Sequence, residues 1–248
     1  MKAIVTMLAL YGALQATVPP RGSREIPRTA TNIETRTLAT EGFPQRAVIL
    51  WMLNPTKHPY WGGREEPYTC PDMSRGSHFS GPTRVSLLDT ASKRVINTTE
   101  IEDIDGNDSF DVPYQIRPEQ LYHTEKAALT AEVKPTIIWL RDFTGEGRRL
   151  QFKLADALAC MPVVTTLVGY VPERDEVIHY AVRLSTTYRG KTSTQTSHWI
   201  DYMFIRAAIE PGHWKYQVDY TGRGGTNDVT DISFDRRTLQ FVGSRISK

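Results

Sequence analysis

The chain has 248 residues, 40% of them hydrophobic and 23% charged, enough apolar material for a core in one large β domain or two small ones and too much for wholesale disorder. Its formal net charge is +2, with Lys and Arg scattered apart from short groups such as Arg148-Arg149 and Arg236-Arg237. That balance lays down no basic footprint, so no nucleic-acid partner is expected.

Residues 1–16 read as a secretory signal peptide. Met1-Lys2 supplies one basic charge, and the apolar stretch at 3–16 is shorter than the roughly 20 residues of a membrane span. Cutting after Ala16 leaves Leu14 at the minus-three position, an imperfect site, and a buried first strand or helix is the competing reading. No second apolar stretch approaches spanning length, so the expected address is secreted or periplasmic, without a transmembrane segment. An oxidising compartment favours a disulfide between Cys70 and Cys160, the only two cysteines. Closing that loop of about ninety residues would restrict the unfolded chain by roughly 4 to 5 kcal/mol. Two separately buried thiols are the alternative. Residues 17–45 carry Pro19-Pro20, Pro27 and Pro44 among many Thr and alternating charges, and read as a flexible leader before a single β domain at 46–248.

From Ala47 onward, short apolar runs alternate with turn residues. Residues 47–53, 83–88, 95–101, 136–140 and 177–184 predict strands. In 214–220, Trp214, Tyr216, Val218 and Tyr220 line one face and Lys215, Gln217 and Asp219 the other, the mark of a strand with one buried and one wet side. Residues 199–205 are apolar on both faces except for Asp201 and Tyr202, which predicts a more central strand. Turn chemistry at Asp105-Gly106, Gly145-Glu146-Gly147, 172–175 and 222–225 separates the runs. Helical signals are few. Residues 118–133 offer a poor stripe, and 148–160 reads as helix or strand. About ten short strands with at most one or two helices predict an all-β fold, an antiparallel β-sandwich, with a closed barrel as the alternative.

Six carboxylates fall within twelve residues, Glu100, Glu102, Asp103, Asp105, Asp108 and Asp111, with no Lys or Arg among them. Acids this close must splay into water or gather around a hard cation. Residues 103–111 resemble the calcium loops of FG-GAP and integrin-type repeats, D-x-[DN]-G-[DN]-G-x-x-[DE], through Asp103, Asp105, Gly106, Asn107 and Asp111. Asp108 stands where that pattern has its second glycine. The resemblance implies Ca2+ held by Asp103, Asp105, Asn107 and Asp111, with water and carbonyls completing about six to eight oxygens. Tyr114 stands where an EF-hand needs its bidentate Glu, which excludes that motif. Asp142-Phe-Thr-Gly-Glu-Gly147 is a fainter version and reads first as a glycine turn. The bland reading of the acidic loop is a solvated hairpin tip turning at Asp105-Gly106. Asn97-Thr-Thr99 and Asn107-Asp-Ser109 are also glycosylation sequons, and a glycan on Asn107 would compete with its use as a ligand. The stretches 70–89 and 138–170 resemble uncharacterised exported β-rich bacterial proteins, a likeness that implies no activity.

Enzymatic motifs are scarce. Six histidines, 58, 78, 123, 179, 198 and 213, stand apart in the sequence without zinc spacing. G-x-S-x-G, the P-loop and G-x-G-x-x-G are absent. Asp201, between apolar neighbours, is the one acid whose surroundings could raise its pKa for glycoside hydrolysis, against the plainer role of a buried Asp paired with an Arg. Trp61 in Tyr60-Trp-Gly-Gly63 reads as a plug over the core or as a stacking platform for a sugar ring. The leading expectation is a secreted β-sandwich without a catalytic centre, binding a carbohydrate or envelope component or serving as structure, with Ca2+ as a structural ion. The alternative, from another class, is a carbohydrate-active hydrolase with a carboxylate pair that includes Asp201.

Overall fold

A computed structural model describes residues 25–39, 42–59, 77–108, 110–112, 135–157 and 163–248. The signal peptide, both cysteines, Trp61 and the helical stripe at 118–133 lie outside these residues. Within them the chain forms sixteen strands and two single turns of 3-10 helix, an all-β fold with more strands than the apolar runs alone suggest.

The first sheet runs β1 (Ala30–Thr37), β2 (Arg46–Leu53), β5 (Thr83–Asp89) and β6 (Val95–Ile101), in that spatial order and all antiparallel. β1 corrects the flexible-leader expectation for 30–37: it pairs with β2 along its length, Thr37 opposite Ala47 and Ala30 opposite Leu53, although its own side chains are mostly polar. A small sheet of β3 (Thr56–His58), β4 (His78–Gly81) and β7 (Phe110–Val112) lies beside it in the chain's first half.

The middle sheet is organised by β9 (Val163–Val171), which is buried almost throughout. β8 (Gln151–Ala157) pairs along one edge of β9, while β10 (Glu176–His179) and β13 (Ile200–Asp201) share the other. Side chains alternate across a strand. Val164, Val168 and Tyr170 therefore enter one core with Leu50, Val85 and Phe152, whereas Leu167 and Val171 enter a second core with Phe204, Trp214 and Phe241. The sandwich thus has three layers, and β9, buried on both faces, shows no alternation of apolar and polar residues.

The third layer is a five-stranded sheet in the order β12 (Lys191–Ser197), β11 (Ala181–Tyr188), β16 (Gln240–Ser247), β15 (Asn227–Asp235), β14 (His213–Asp219). All its pairs are antiparallel except β11 with β16. β14 matches the period-two reading, with Trp214, Tyr216 and Val218 buried and Lys215, Gln217 and Asp219 exposed.

Two expected strands are not strands. Residues 136–140 form an irregular wall held by a backbone bridge between Arg141 and Gln151. Residues 199–205 give only the two-residue β13 before Tyr202, at φ 56°, turns the chain into a 3-10 helix at Met203–Ile205. Residues 177–184 are divided at Tyr180, whose N–H donates to the Leu167 carbonyl at 2.9 Å.

Polar side chains lock the layers together. Buried Arg46 forks onto Asp175 from Nε at 2.8 Å and Nη2 at 2.7 Å, and Nη1 reaches Asp89 at 2.7 Å. The hydrogen bond from Arg46 holds the Asp175 carboxyl below the usual range, and burial pushes the Tyr170 hydroxyl up to about 12. Asn97 acts as a side-chain strand: its Nδ2 donates to the Val177 carbonyl at 2.8 Å, and its Oδ1 accepts from the Val177 N–H at 2.9 Å. A glycan on that nitrogen would break the link between β6 and β10.

Candidate functional site

The acidic loop folds around Asp103. Its Oδ1 accepts the backbone N–H groups of Asp105 at 2.9 Å and Asn107 at 2.7 Å, and Oδ2 accepts Asn107 Nδ2 at 2.9 Å. Gly106, at φ 79°, turns the tip. Asp108, the departure from the calcium pattern, faces Arg84, whose Nη2 lies 2.8 Å from its Oδ2. Glu100 is 3.7 Å from the same guanidinium. Arg84 is buried on β5, far in sequence from the loop, so an acid cluster with no internal cation receives one from the neighbouring strand. Asp105 is exposed at the tip, and the Asp111 side chain lies outside the described residues. Among the described residues no group of three or more His, Cys, Asp or Glu gathers in metal-holding geometry.

The second acid-glycine loop is a turn closed by its own carboxylate. Asp142 Oδ1 accepts from the Gly145 N–H at 2.8 Å and the Glu146 N–H at 3.2 Å, and Oδ2 accepts from Gly147 at 2.7 Å. Gly145, at φ 78°, lies so close to 211–212 that a Cβ there would sit 2.6 Å from the Pro211 carbonyl. That contact seats the turn against the loop before β14.

A cleft of about 330 Å³ opens where residues 136–143 meet β8, residues 204–208 and Trp214. Its apolar surface comes from buried Phe143, Phe204 and Trp214 and from Trp139, which is 42% exposed at the mouth. Its charges come from three elements. Lys153 is on β8 between Phe152 and Leu154; those two enter the first core, so strand alternation turns Lys153 to the cleft side. Arg141 is brought beside it by the backbone bridge to Gln151. Arg206 follows the 3-10 turn, its guanidinium 5.6 Å from the Tyr202 ring centre and 5.4 Å from that of Tyr216, and its carbonyl accepts Trp214 Nε1 at 3.3 Å.

Among the described residues, three cations and one carboxylate, Asp142, line the cleft, and both oxygens of that carboxylate accept N–H groups of the turn. Burial, with the nearby Arg141 charge, lowers Lys153 from 10.5 to about 8. An anion entering would raise that pKa again and share the Arg141 and Arg206 donors.

Asp201 sits apart from this cleft, at the end of β13. Burial raises its pKa, against the opposing Arg245 charge, and Asp228 raises it further. Arg245 Nη1 is 3.3 Å from Asp201 Oδ2 and 3.9 Å from Asp228 Oδ2, so the two acids share one cation. The Tyr216 hydroxyl, pushed up to about 12 by burial, donates to the Asp201 carbonyl at 2.9 Å. Both sequence readings of Asp201 hold a part of this: its surroundings do raise the pKa, and its partner is an arginine.

Four of the histidines that stand apart in sequence meet in space. His58 and His78 oppose each other across β3 and β4 and stack at 4.4 Å. His179 and His198 stack at 4.1 Å. The Thr166 hydroxyl donates to the His198 carbonyl at 2.6 Å, which leaves His179 Nε2 as the donor to Thr166. Burial and the His198 ring hold His179 well below its usual pKa, and burial lowers His198 against the pull of Glu102.

No protein-family model, curated protein or solved structure matches this chain. The cleft residues carry no linear signature. Lys153 bears a local sign, a charge set between Phe152 and Leu154.

Proposed function

We propose that this is an exported, non-catalytic binding protein whose ligand is a small organic anion with a flat or apolar body, held in the cleft between Trp139, Lys153 and Arg206. The observation that supports it is that Arg141, Lys153 and Arg206 line, among the described residues, one cavity walled by Trp139, Phe143, Phe204 and Trp214. Trp139 and Trp214 give the ligand a surface to stack on, and the cations recognise a carboxylate, sulfate or phosphate.

The test is a titration of tryptophan fluorescence with benzoate, galacturonate, and the neutral counterparts benzyl alcohol and galactose. The anions are expected to bind and their counterparts to bind at least 10-fold more weakly, about 1.4 kcal/mol. Affinity should fall as pH rises past about 8, where Lys153 loses its proton. Equal affinity for charged and neutral probes, or no response to any, refutes the reading.

The carboxylate-pair hydrolase keeps one supporting observation, Asp201 and Asp228 on a shared Arg245. Turnover on a polysaccharide panel that vanishes in a folded Asp201→Asn variant would favour it. Calcium at Asp103, Asp105, Asn107 and Asp111 is the weaker proposal for the acidic loop, because the N–H donors around Asp103 and the Arg84 guanidinium beside Asp108 already answer the charge there.

A further inference from the structure

Every residue of β12 is exposed, although the strand is fully paired to β11 through an unbroken register from Tyr188 opposite Lys191 to Val182 opposite Ser197. The turn between them is Arg189-Gly190, with φ 51° and 76°, two left-handed residues of the kind that makes a tight two-residue hairpin. On one face of that hairpin the Ser185 and Thr194 hydroxyls meet at 2.8 Å, and so do those of Thr187 and Thr192. β12 is therefore a regular strand that no apolar burial holds in place.

Free strand edges recruit other strands, and proteins normally guard them with bulges, charges or covering loops. Other edges of this molecule are guarded. β1 carries a bulge between Asn32 and Glu34, with Glu34 and Arg36 beside it. β6 is tied to β10 by Asn97. β14, at the opposite margin of the same sheet, carries Lys215 and Asp219, and Ile209 and Glu210 of the preceding loop donate to the His213 carbonyl. β12 has no bulge, no proline and a single charge, Lys191, at its end.

The sequence of β12 is also self-complementary. About a twofold axis at Thr194, antiparallel pairing sets Thr194 against Thr194, Thr192 against Thr196, Ser193 against Gln195, and Lys191 against Ser197. No like charges meet, and threonines face threonines, a favourable cross-strand pair. In a two-residue hairpin the residues flanking the turn are hydrogen-bonded to each other and the next pair is not, so the main-chain groups of Thr192, Thr194 and Thr196 point outward. They are the groups that such a pairing uses.

We propose that β12 joins a second copy of this chain edge to edge, running the five-stranded sheets of two protomers into one continuous sheet. The contact is isologous, closes at two copies and uses no residue that lines the Trp139 cleft.

Sedimentation equilibrium of the full chain from about 1 to 100 µM tests this, since a dimer populates with concentration. A mass of two chains is expected, falling to one in Thr194→Pro, which removes an outward N–H that β11 does not use, and in Thr194→Lys, which sets two charges against each other on the axis. Far-UV circular dichroism and Tm should match wild type in at least one of them. A wild-type monomer across the range overturns the proposal, as does a dimer that survives both substitutions.

Discussion

Replacing Lys153 with Met should make the protein more stable and unable to bind its ligand. The lysine is held at about 8 in the folded chain against 10.5 when free, chiefly by burial and secondarily by Arg141. At about 1.4 kcal/mol for each pH unit, keeping the ammonium charged at pH 7 costs the fold about 3 kcal/mol. Met has a similar length and no charge. Some of the gain is lost with the contacts of the ammonium and with its residual hydration, so about 1 to 2 kcal/mol should remain, a rise in Tm of about 3 to 6 °C for a chain of this size. The sign of the pH dependence is specific. The unfolded chain keeps its proton up to 10.5 while the folded one begins to release it near 8, so the wild-type penalty is complete below 8 and fades toward 10.5. Urea unfolding at pH 7 and pH 9.5 should therefore show a large advantage for Lys153→Met at the lower pH and a small one at the higher. An advantage of equal size at both, or a variant less stable than wild type at pH 7, would refute the burial argument.

Asp175→Asn should cost about 1 to 3 kcal/mol by denaturant unfolding, because it leaves buried Arg46 with Asp89 alone; a change under about 0.5 kcal/mol would mean the fork does not hold the layers. Acid should destabilise the fold below about 6.5, where the unfolded chain takes up protons that His179, packed against His198 and Thr166 with Glu100 and Glu102 nearby, cannot accept. His179→Gln, which cannot titrate, should flatten that acid limb in a Tm series from pH 7 to 5, and parallel limbs in both proteins would sink the assignment. Arg84→Met should destabilise by about 1 to 2 kcal/mol while chelator leaves the wild-type Tm unchanged, and a Tm that rises with added calcium would return the acidic loop to metal binding.

What the amino-acid sequence disclosed follows from how each strand meets water. β14 was legible because one face is wet, so Trp214, Tyr216 and Val218 alternate with polar residues. β9, buried on both faces, has no alternation to read, and its run of Val, Thr and Leu carries no sign that it divides two cores. β12 sits at the other extreme. Lys-Thr-Ser-Thr-Gln-Thr-Ser offers only the β preference of threonine and the Arg-Gly turn before it. Residues 136–140 show the converse failure: Ile137 and Ile138 are buried, yet their N–H groups go to the Glu34 carboxylate at 2.8 and 3.3 Å instead of to a strand. Asp201 could be singled out from its apolar neighbours, but Arg245 and Asp228 meet it through pairing of distant strands. For the same reason Lys153, Arg141 and Arg206 did not announce themselves as a cluster.

The polar groups buried in this molecule are not spread evenly. Arg46 with Asp175, Asn97 with Val177, Thr166 with the stacked histidines, and Arg245 with Asp201 each join elements of different sheets or of strands that meet end to end. Apolar packing between two sheets is tolerant of small slips, since one aliphatic contact replaces another at little cost, whereas a forked ion pair or a carboxamide matched to one peptide group is satisfied in a single register and costly when half satisfied. Three stacked layers have two interfaces to align, and β9 takes part in both. The seams are therefore where directional contacts matter most, and Arg46, Asn97 and His179 are better understood as fixing how the sheets lie on one another than as unused catalytic groups. The cleft differs in kind. Among the described residues three cations line one cavity, and burial there lowers Lys153 to about 8, a perturbation of the kind that clusters where ligands bind.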